Sequence, residues 1–423
     1  MSRHIAAGLV CLWALLIAAP LWAFDGSDWG VTVDGATTVR YSDELSDHDL
    51  DYRVRTALWA EFFRGIGDGG ALVLSAEGSF VHADDRDYLV DLDRLRLSMT
   101  RPGALGGAGT FAAAFGRFAF RDPTAQILNS PADGVRFGFR FSTWELELWG
   151  GYTGLLLNPV SRIRLSAADR AEESDDDQLF GPQRVLAQAE LRFPDIAARQ
   201  VLSLSAVAQW DLRDASGGED TVDSQYGALL VAGPLSRNLY HTSFVGMGLF
   251  QAAEDQIGLF GGSRMRYLRE EWLGSRFTLS MLYTSGPQGE IGAFVPITQP
   301  PIGRVFQPRA GNVSTASAGY AMRPWIRSSS VPARAIEFSA GGRAFFRSSD
   351  EGSVEGGGLL TAGTLTPAGS ERYLGSEVEW GVRARPLPDL GFALTGGVFV
   401  PGSVFGDEAG PEYLGRLELS LAL

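Results

Sequence analysis

The chain has 423 residues, of which 36 are basic and 50 acidic, and its net charge is −14 at neutral pH. Every basic residue is an arginine. An acidic chain argues against nucleic-acid binding, because a nucleic acid requires a basic surface. The single cysteine, Cys11, lies in the N-terminal segment, so the rest of the chain cannot form disulfides or use thiol chemistry.

The N-terminal segment has the layout of a secretory signal peptide. Arg3 precedes an apolar stretch over residues 5–22, and Ala23 offers a small-residue cleavage site. The alternative is an uncleaved membrane anchor, for which the stretch is short. We predict a cleaved signal peptide over residues 1–23 and a mature protein over residues 24–423. No second apolar run reaches the length of a spanning helix, so any membrane crossing would use strands.

Apolar and polar residues alternate with a period of two through most of the mature chain, which is the pattern of β-strands. At the C-terminus, leucines at every second position from Leu417 to Leu423 share one face, and Arg416, Glu418 and Ser420 share the other. Similar alternation occurs at residues 52–62, 135–141, 202–212, 276–283 and 374–383. Many such segments, each of about ten residues, are typical of a transmembrane barrel.

Short and long connections between these segments alternate along the chain. The short ones are residues 64–70, 101–109, 142–143, 194–199, 233–238, 270–274, 328–332 and 386–391. The mostly longer ones, which also include a short connection at 252–254, are residues 42–49, 82–87, 121–132, 154–182, 214–223, 286–312, 348–370 and 401–411. Outer-membrane barrels have short periplasmic turns and long outer loops, so this segregation favours a barrel over a soluble sandwich.

The predicted fold is therefore all-β: a single transmembrane antiparallel up-and-down β-barrel of about 18 strands, within a range of roughly 16 to 18, with both termini in the periplasm. A parity switch near Asp93 predicts a β-bulge. In residues 111–120 and 239–250, the sequence does not decide which set of alternate side chains faces the lumen. Aromatic residues near strand ends, such as Trp29, Tyr41 and Tyr283, fit the interfacial girdles of such barrels.

The charged faces of these strands predict a water-filled lumen. Lipid outside and water inside satisfy both faces, whereas a dry core could not hold so many charges. About eighteen strands leave an aqueous channel. Ten arginines are predicted to line it and attract anions: Arg40, Arg53, Arg55, Arg94, Arg96, Arg117, Arg136, Arg140, Arg383 and Arg385. Inward acidic residues are fewer, because many acids lie in loops, such as Asp175–Asp177.

Two interpretations of these arginines remain open. Arginine rings select anions in pores, and the guanidinium fork binds planar carboxylates. Alternatively, arginines and glutamates on neighbouring strands form a ladder that only holds the wall rigid. Two apolar loops, residues 154–182 and 286–312, also leave two possibilities: they fold over the mouth or into the lumen, or they extend the strands above the membrane.

Several short motifs resemble the alginate-export porin family. Tyr373–Glu377 begins a strand, Pro386–Leu390 forms a turn, and Val400–Gly402 follows, as in that family's closing hairpin. Gly116–Phe118 and Ala132–Val135 resemble its middle. The resemblance implies an outer-membrane barrel of about eighteen strands with an arginine-rich conduit for an anionic polysaccharide. One departure is the C-terminal leucine, where most such barrels have an aromatic residue.

These observations predict a channel in the bacterial outer membrane that passes small solutes or carboxylated saccharides, without a cofactor, a metal or enzymatic activity. Its expected partners are outer-membrane lipid, a small anionic solute or saccharide, and the barrel-assembly machinery during insertion. One alternative is a structural or adhesin barrel that acts through its acidic outer loops. Another is an outer-membrane hydrolase, since Tyr240–Ser243 contains a His-x-Ser motif similar to that of outer-membrane phospholipases.

Overall fold

The computed structural model describes most of the mature chain. The described residues are 26–42, 47–84, 86–107, 109–166, 168–169, 172, 178–213, 221–251, 255–300, 302–356, 363–365, 370–405 and 409–423. The predicted signal peptide and Asp175–Asp177 of the acidic loop lie outside these ranges. Among the described residues, no helix is long and apolar enough to cross a membrane.

The structure consists almost entirely of antiparallel strands. They are β1 Gly26–Ser42, β2 Asp47–Ile66, β3 Gly70–Ala83, β4 Arg86–Pro102, β5 Thr110–Arg121, β6 Asn129–Arg140, β7 Glu145–Tyr152, β8 Arg184–Phe193, β9 Val201–Asp211, β10 Asp223–Pro234, β11 Leu239–Gln251, β12 Gln256–Arg269, β13 Ser275–Thr284, β14 Val313–Met322, β15 Glu337–Arg347, β16 Val354–Gly356, β17 Gly363–Leu365, β18 Tyr373–Leu387, β19 Leu390–Pro401 and β20 Glu412–Ala422. A short helix, α1 Val331–Arg334, and a 3-10 turn, Ser403–Phe405, complete the described elements.

Eighteen of these strands form one closed barrel. Each barrel strand pairs with the next along the chain, and β15 pairs with β18 because β16 and β17 form a separate small hairpin. Strand β20 pairs with β1 and closes the circuit. The backbone of Leu423 exchanges two hydrogen bonds with Val31, so the two ends of the described chain meet at the same rim. The predicted fold class and strand number are confirmed.

The two rims of the barrel differ in their connections. The rim that holds both chain ends, here called the short-turn end, has tight turns such as residues 67–69 and 388–389. Its one long connection, residues 323–336, contains α1. The opposite rim, the long-loop end, carries residues 153–183, 285–312 and 348–372. In outer-membrane barrels the end with short turns is the periplasmic one, and we expect the same orientation here.

Two connections expected to be long are short. Strands β1 and β2 extend until only residues 43–46 separate them, and residues 84–85 separate β3 from β4. The prediction of long loops at residues 42–49 and 82–87 was therefore wrong. Among the described charged residues there, Asp47, Asp49, Arg86 and Asp87 belong to strand ends near the rim, where water solvates a charge whether the backbone is a strand or a loop.

The predicted bulge is present at Asp93. On β3, Glu77 pairs with Arg94 and the next residue, Gly78, pairs with Leu92, so Asp93 is the extra residue. The two segments with ambiguous phase form the regular strands β5 and β11. The bulge turns the Asp93 carboxylate to the same side as the wall arginines, which alternation alone does not predict.

The outer surface of the barrel is apolar. Leu58, Leu204 and Leu421 are 47%, 41% and 38% exposed, although each lies in the middle or near the end of a fully paired strand. In water such an apolar belt would favour association, whereas hydrocarbon solvates it. Every barrel strand has two neighbours, so no strand edge is left unpaired in lipid.

Candidate functional site

The described parts of two long loops fold inward and pack against the inner wall of the barrel. The β7–β8 loop, residues 153–183, and the β13–β14 loop, residues 285–312, meet where Ile163 pairs with Thr298. The hydroxyl of Thr298 accepts a hydrogen bond from the backbone N–H of Asn129 at 2.7 Å. Five apolar side chains of these loops are fully buried: Leu156, Ile163, Phe294, Ile297 and Phe306. Of the two arrangements left open by the sequence, inward folding is the one observed.

Glu377 fixes the β13–β14 loop to the wall. Its carboxylate accepts backbone hydrogen bonds from Arg304, Val305 and Phe306 at 2.8, 3.1 and 3.2 Å. Gly303 has a φ of +85°, and a Cβ at this position would lie 3.0 Å from the Glu377 carboxylate. Glycine therefore permits both the backbone conformation and the close approach.

A buried ion cluster fixes the β7–β8 loop. Arg184 donates to both carboxylate oxygens of Asp169 at 3.0 Å, and its guanidinium lies 2.9 Å from Asp211. Arg213 bridges the same two carboxylates and contacts Glu172 at 2.9 Å. Hydrogen bonding to Asp211 raises the pKa of the Arg213 guanidinium above its ordinary value. Removing one member of such a buried cluster typically costs about 3–5 kcal/mol, because a charge is left unpaired.

The inward loops leave two adjoining chambers on one side of the lumen. The central chamber has a volume of about 1150 Å³ and is lined mainly by β1–β5 and β18–β20. The outer chamber, about 690 Å³, lies beside the β13–β14 loop. Four residues line both: Arg162, Arg383, Arg416 and Glu418. The two chambers therefore adjoin along a stretch of wall that carries three arginines.

A third, smaller chamber of about 370 Å³ lies beside β4–β8. Its charged lining is mixed: Arg96, Arg136, Arg140, Glu145, Glu147, Glu190 and Arg192. Because acids and bases are nearly balanced here, this chamber should hold little net potential. The predicted arginines are thus divided between two electrostatically different surfaces.

The ten arginines selected from the sequence all lie on the inner side of the wall. Arg53, Arg55, Arg117, Arg383 and Arg385 line the central chamber, Arg40 and Arg383 the outer chamber, and Arg96, Arg136 and Arg140 the third chamber. Arg94 contacts Glu77 at 3.4 Å, and the same carboxylate contacts Arg55 at 2.6 Å. Whether each arginine attracts solute remains a prediction, because position alone does not decide it.

Many of these arginines form ion pairs within the wall. Arg55 contacts Glu77 at 2.6 Å, Asp93 at 3.1 Å and Asp34 at 3.6 Å. Further pairs join Arg40 to Asp49 and Asp51, Arg136 to Glu147, and Arg140 to Glu145. The early-strand cluster is therefore more neutralised than the sequence suggested. For these residues the rigid-ladder interpretation fits the contacts.

Arg117 is buried and acts as a structural tie. Its guanidinium binds both oxygens of Asp133 at 2.9 and 2.8 Å. It also donates to the carbonyl oxygens of Leu92 at 3.1 Å and Leu155 at 2.8 Å. The last contact joins β5 to the β7–β8 loop. With only 7% of the residue exposed, Arg117 has little surface to offer a passing solute.

Three arginines of the chambers are exposed and carry free charge. Within the described part of the chain, Arg53, Arg162 and Arg383 have no hydrogen-bond or ion-pair partner among the side chains. Arg162 could not be predicted from the sequence, because it lies in a loop, where strand alternation gives no information about the direction of a side chain. Arg162 and Arg383 both line the boundary between the two chambers.

The His-x-Ser motif lies on the opposite, lipid-facing side of the wall. His241 and Ser243 share the face of Val245 and Met247, which are 58% and 50% exposed. The His241 Nδ1 is 3.5 Å from the Ser243 hydroxyl, and its Nε2 is 2.8 Å from the Gln200 amide oxygen. The motif therefore faces away from the lumen.

No protein-family model and no curated protein sequence matches this chain. Solved structures do match it. The chain has the fold of outer-membrane porins from Pseudomonas aeruginosa. OccK5 (OpdH) has a TM-score of 0.60 and 11% identity, covering 95% of this chain and 98% of that one. OccK2 (OpdF), solved in complex with glucuronate, has a TM-score of 0.60 and 11% identity, covering 95% of this chain and 97% of that one. The outer membrane protein OpdK has a TM-score of 0.54 and 13% identity, covering 94% of this chain and 99% of that one.

Proposed function

We propose that this protein is a channel of the bacterial outer membrane that passes small carboxylated solutes through an arginine-lined lumen. The observation that carries the proposal is the boundary between the central and outer chambers. Arg162 and Arg383 face it without ion-pair partners among the described residues, and Arg53 lies in the adjoining central chamber. A guanidinium with free donors binds a carboxylate in a bidentate manner.

The arrangement suits transient rather than tight binding. The three arginines are exposed to the aqueous lumen, so water competes for each contact and a solute can leave as readily as it arrives. Conduction requires this balance between attraction and release. The neighbouring Arg416 is already paired with Glu418 at 2.6 Å, which limits the net charge at the boundary.

The fold likeness supports the location and the solute class. The similar structures are outer-membrane proteins of Pseudomonas aeruginosa, and one of them, OccK2, is in complex with glucuronate. A closed barrel with an apolar exterior fits the same membrane. We further propose that residues 1–23 are a cleaved signal peptide and that the barrel-assembly machinery inserts the chain. Membership of the alginate-export group is a narrower proposal that rests on the short motifs alone.

Single-channel recording of the purified protein in planar bilayers tests the proposal. Under a KCl gradient, the reversal potential should indicate a preference for chloride over potassium. Glucuronate should interrupt the current at concentrations where glucose, its neutral relative, does not. Equal effects of glucuronate and glucose, or a preference for potassium, would contradict the proposed function.

A further inference from the structure

An aromatic-flanked arginine lies at the lipid boundary of the short-turn end. Arg269 ends β12, and its guanidinium lies 5.6 Å from the ring centre of Tyr267 and 5.0 Å from that of Trp272. Tyr267 is paired with Phe277, whose side chain is 40% exposed on the outer face. Trp272 is 56% exposed in the following turn. Both rings are of the kind that prefers the boundary between lipid and water.

The guanidinium of Arg269 is held in place but not neutralised. Two rings flank it, and such cation–π contacts orient a guanidinium without using its N–H donors. Within the described residues its side chain makes no hydrogen bond, and its Nε is buried without a partner. Its only ion-pair contact is Glu271 at 3.6 Å, a side chain that is 79% exposed. An exposed pair of this length contributes little, so an anion could displace it.

The neighbouring connection adds positive charge. Residues 323–336 pack against the Arg269 turn, since the Arg323 N–H donates to the Leu273 carbonyl at 2.8 Å and the Arg327 side chain donates to the Glu271 carbonyl at 3.2 Å. Arg323 binds Glu337 at 3.4 Å and lines the central chamber, so its charge faces the lumen. On the outer side, three exposed or half-exposed arginines stand against two glutamates: Arg269, Arg327, Arg334, Glu270 and Glu271. The patch is therefore net basic.

The apolar surroundings place this charge against the membrane rather than in free water. Trp325, on the same connection, is 45% exposed and packs at 5.8 Å on Phe338 of β15. Leu273 in the turn is 42% exposed. These side chains continue the apolar outer belt down to the rim. A ligand that satisfies both surfaces needs an anionic head and an apolar body.

We propose that Arg269, flanked by Tyr267 and Trp272, is a binding site for the headgroup of an anionic glycerophospholipid in the inner leaflet. The phosphodiester would accept N–H bonds from the Arg269 fork. The acyl chains would lie on the belt above. Arg327 supplies further attraction, which favours a net anionic headgroup such as phosphatidylglycerol over zwitterionic phosphatidylethanolamine. The site is independent of the solute that the channel carries.

Native mass spectrometry of the delipidated full-length barrel tests this site, with phosphatidylglycerol as the probe. Arg269→Gln should weaken phosphatidylglycerol binding at least fivefold. Arg237→Gln, which removes an exposed arginine from a short-turn connection with no aromatic contact among the described residues, is the matched control and should change binding less than twofold. Trp272→Ala should weaken binding in the same direction as Arg269→Gln.

Three results would overturn the site. One is equal loss in the Arg269 and Arg237 variants, which would indicate general attraction to the basic rim. Another is equal binding of phosphatidylethanolamine and phosphatidylglycerol by the wild type. A third is full competition by soluble glycerol phosphate at equal concentration, because the acyl chains would then contribute nothing. Heat-modifiable mobility on gels checks that each variant remains a folded barrel.

Discussion

Removing the three free arginines should reduce anion selectivity without loosening the barrel. The perturbation is the triple change Arg53→Gln, Arg162→Gln and Arg383→Gln. None of these side chains has a hydrogen-bond or ion-pair partner within the described residues, so no carboxylate of the wall is left unpaired by their removal. Glutamine keeps much of the side-chain volume and stays polar in the aqueous lumen.

The expected magnitude follows from simple electrostatics. A unit charge about 8 Å from the solute path in water contributes about 0.5 kcal/mol, from 332/(ε·r) with ε of about 80. Screening at 0.1 M salt, with a Debye length of about 10 Å, reduces this to about 0.2 kcal/mol per arginine. Each arginine stabilises an anion and destabilises a cation by this amount. Summed over three arginines, the free-energy difference between the two ions is about 1.4 kcal/mol. That corresponds to a permeability ratio changed by about tenfold.

Reversal potentials in planar bilayers measure this ratio directly. The chloride-to-potassium permeability ratio of the triple variant should fall by about tenfold at 0.1 M salt, and by less than about twofold at 1 M, where the Debye length is about 3 Å. The control is Arg136→Gln with Glu147→Gln. This change removes an ion pair of the third chamber and leaves the net charge unaltered, so it should leave the ratio within about twofold of the wild type.

Two results would refute this reasoning. If the ratio of the triple variant stays within error of the wild type at 0.1 M salt, the chamber boundary is not the selective region. If the charge-neutral control changes the ratio as strongly as the triple variant, selectivity depends on the shape of the wall and not on the free arginines.

Three further predictions follow from the architecture. Leu204→Arg places a charge on the lipid face and should reduce the unfolding free energy in liposomes by about 2–4 kcal/mol; a loss below about 1 kcal/mol would contradict the outward assignment. Glu377→Ala removes the acceptor of three backbone N–H groups and should raise single-channel conductance and current noise as the β13–β14 loop loosens, whereas unchanged traces would show that the carboxylate is dispensable. On intact cells, a maleimide should label Leu179→Cys but not Asp389→Cys, and the reverse pattern would invert the topology.

The barrel itself could be predicted because alternation and connection length are both local properties of the sequence. A strand with lipid on one side and water on the other has an apolar residue at every second position, as at Leu417–Leu423, and this pattern gives its orientation. The bulge at Asp93 was visible for the same reason, since an extra residue shifts that parity. Loop length near the rim was less predictable, because a charge such as that of Asp49 is solvated in a strand as well as in a loop.

The charge state of the chambers could not be predicted in the same way. Alternation gives the direction of Arg55 but not the distance to Asp93, which depends on the geometry of the bulge. It gives no direction at all for Arg162, whose position depends on how the β7–β8 loop folds. That fold depends in turn on contacts distant in sequence, such as the pairing of Ile163 with Thr298. Long-range contacts of this kind leave no periodic signal.

Acidic and basic residues of the described chain have different roles, which the net charge does not reveal. Carboxylates hold the architecture: Glu377 binds the backbone of one inward loop, and Asp169 binds Arg184 to secure the other. Removing either leaves buried donors or a buried charge without a partner, so substitutions there should be costly. The free arginines at the chamber boundary satisfy no buried group. We therefore expect substitutions of Arg162 and Arg383 to change which solutes the proposed channel passes while the inward loops stay in place.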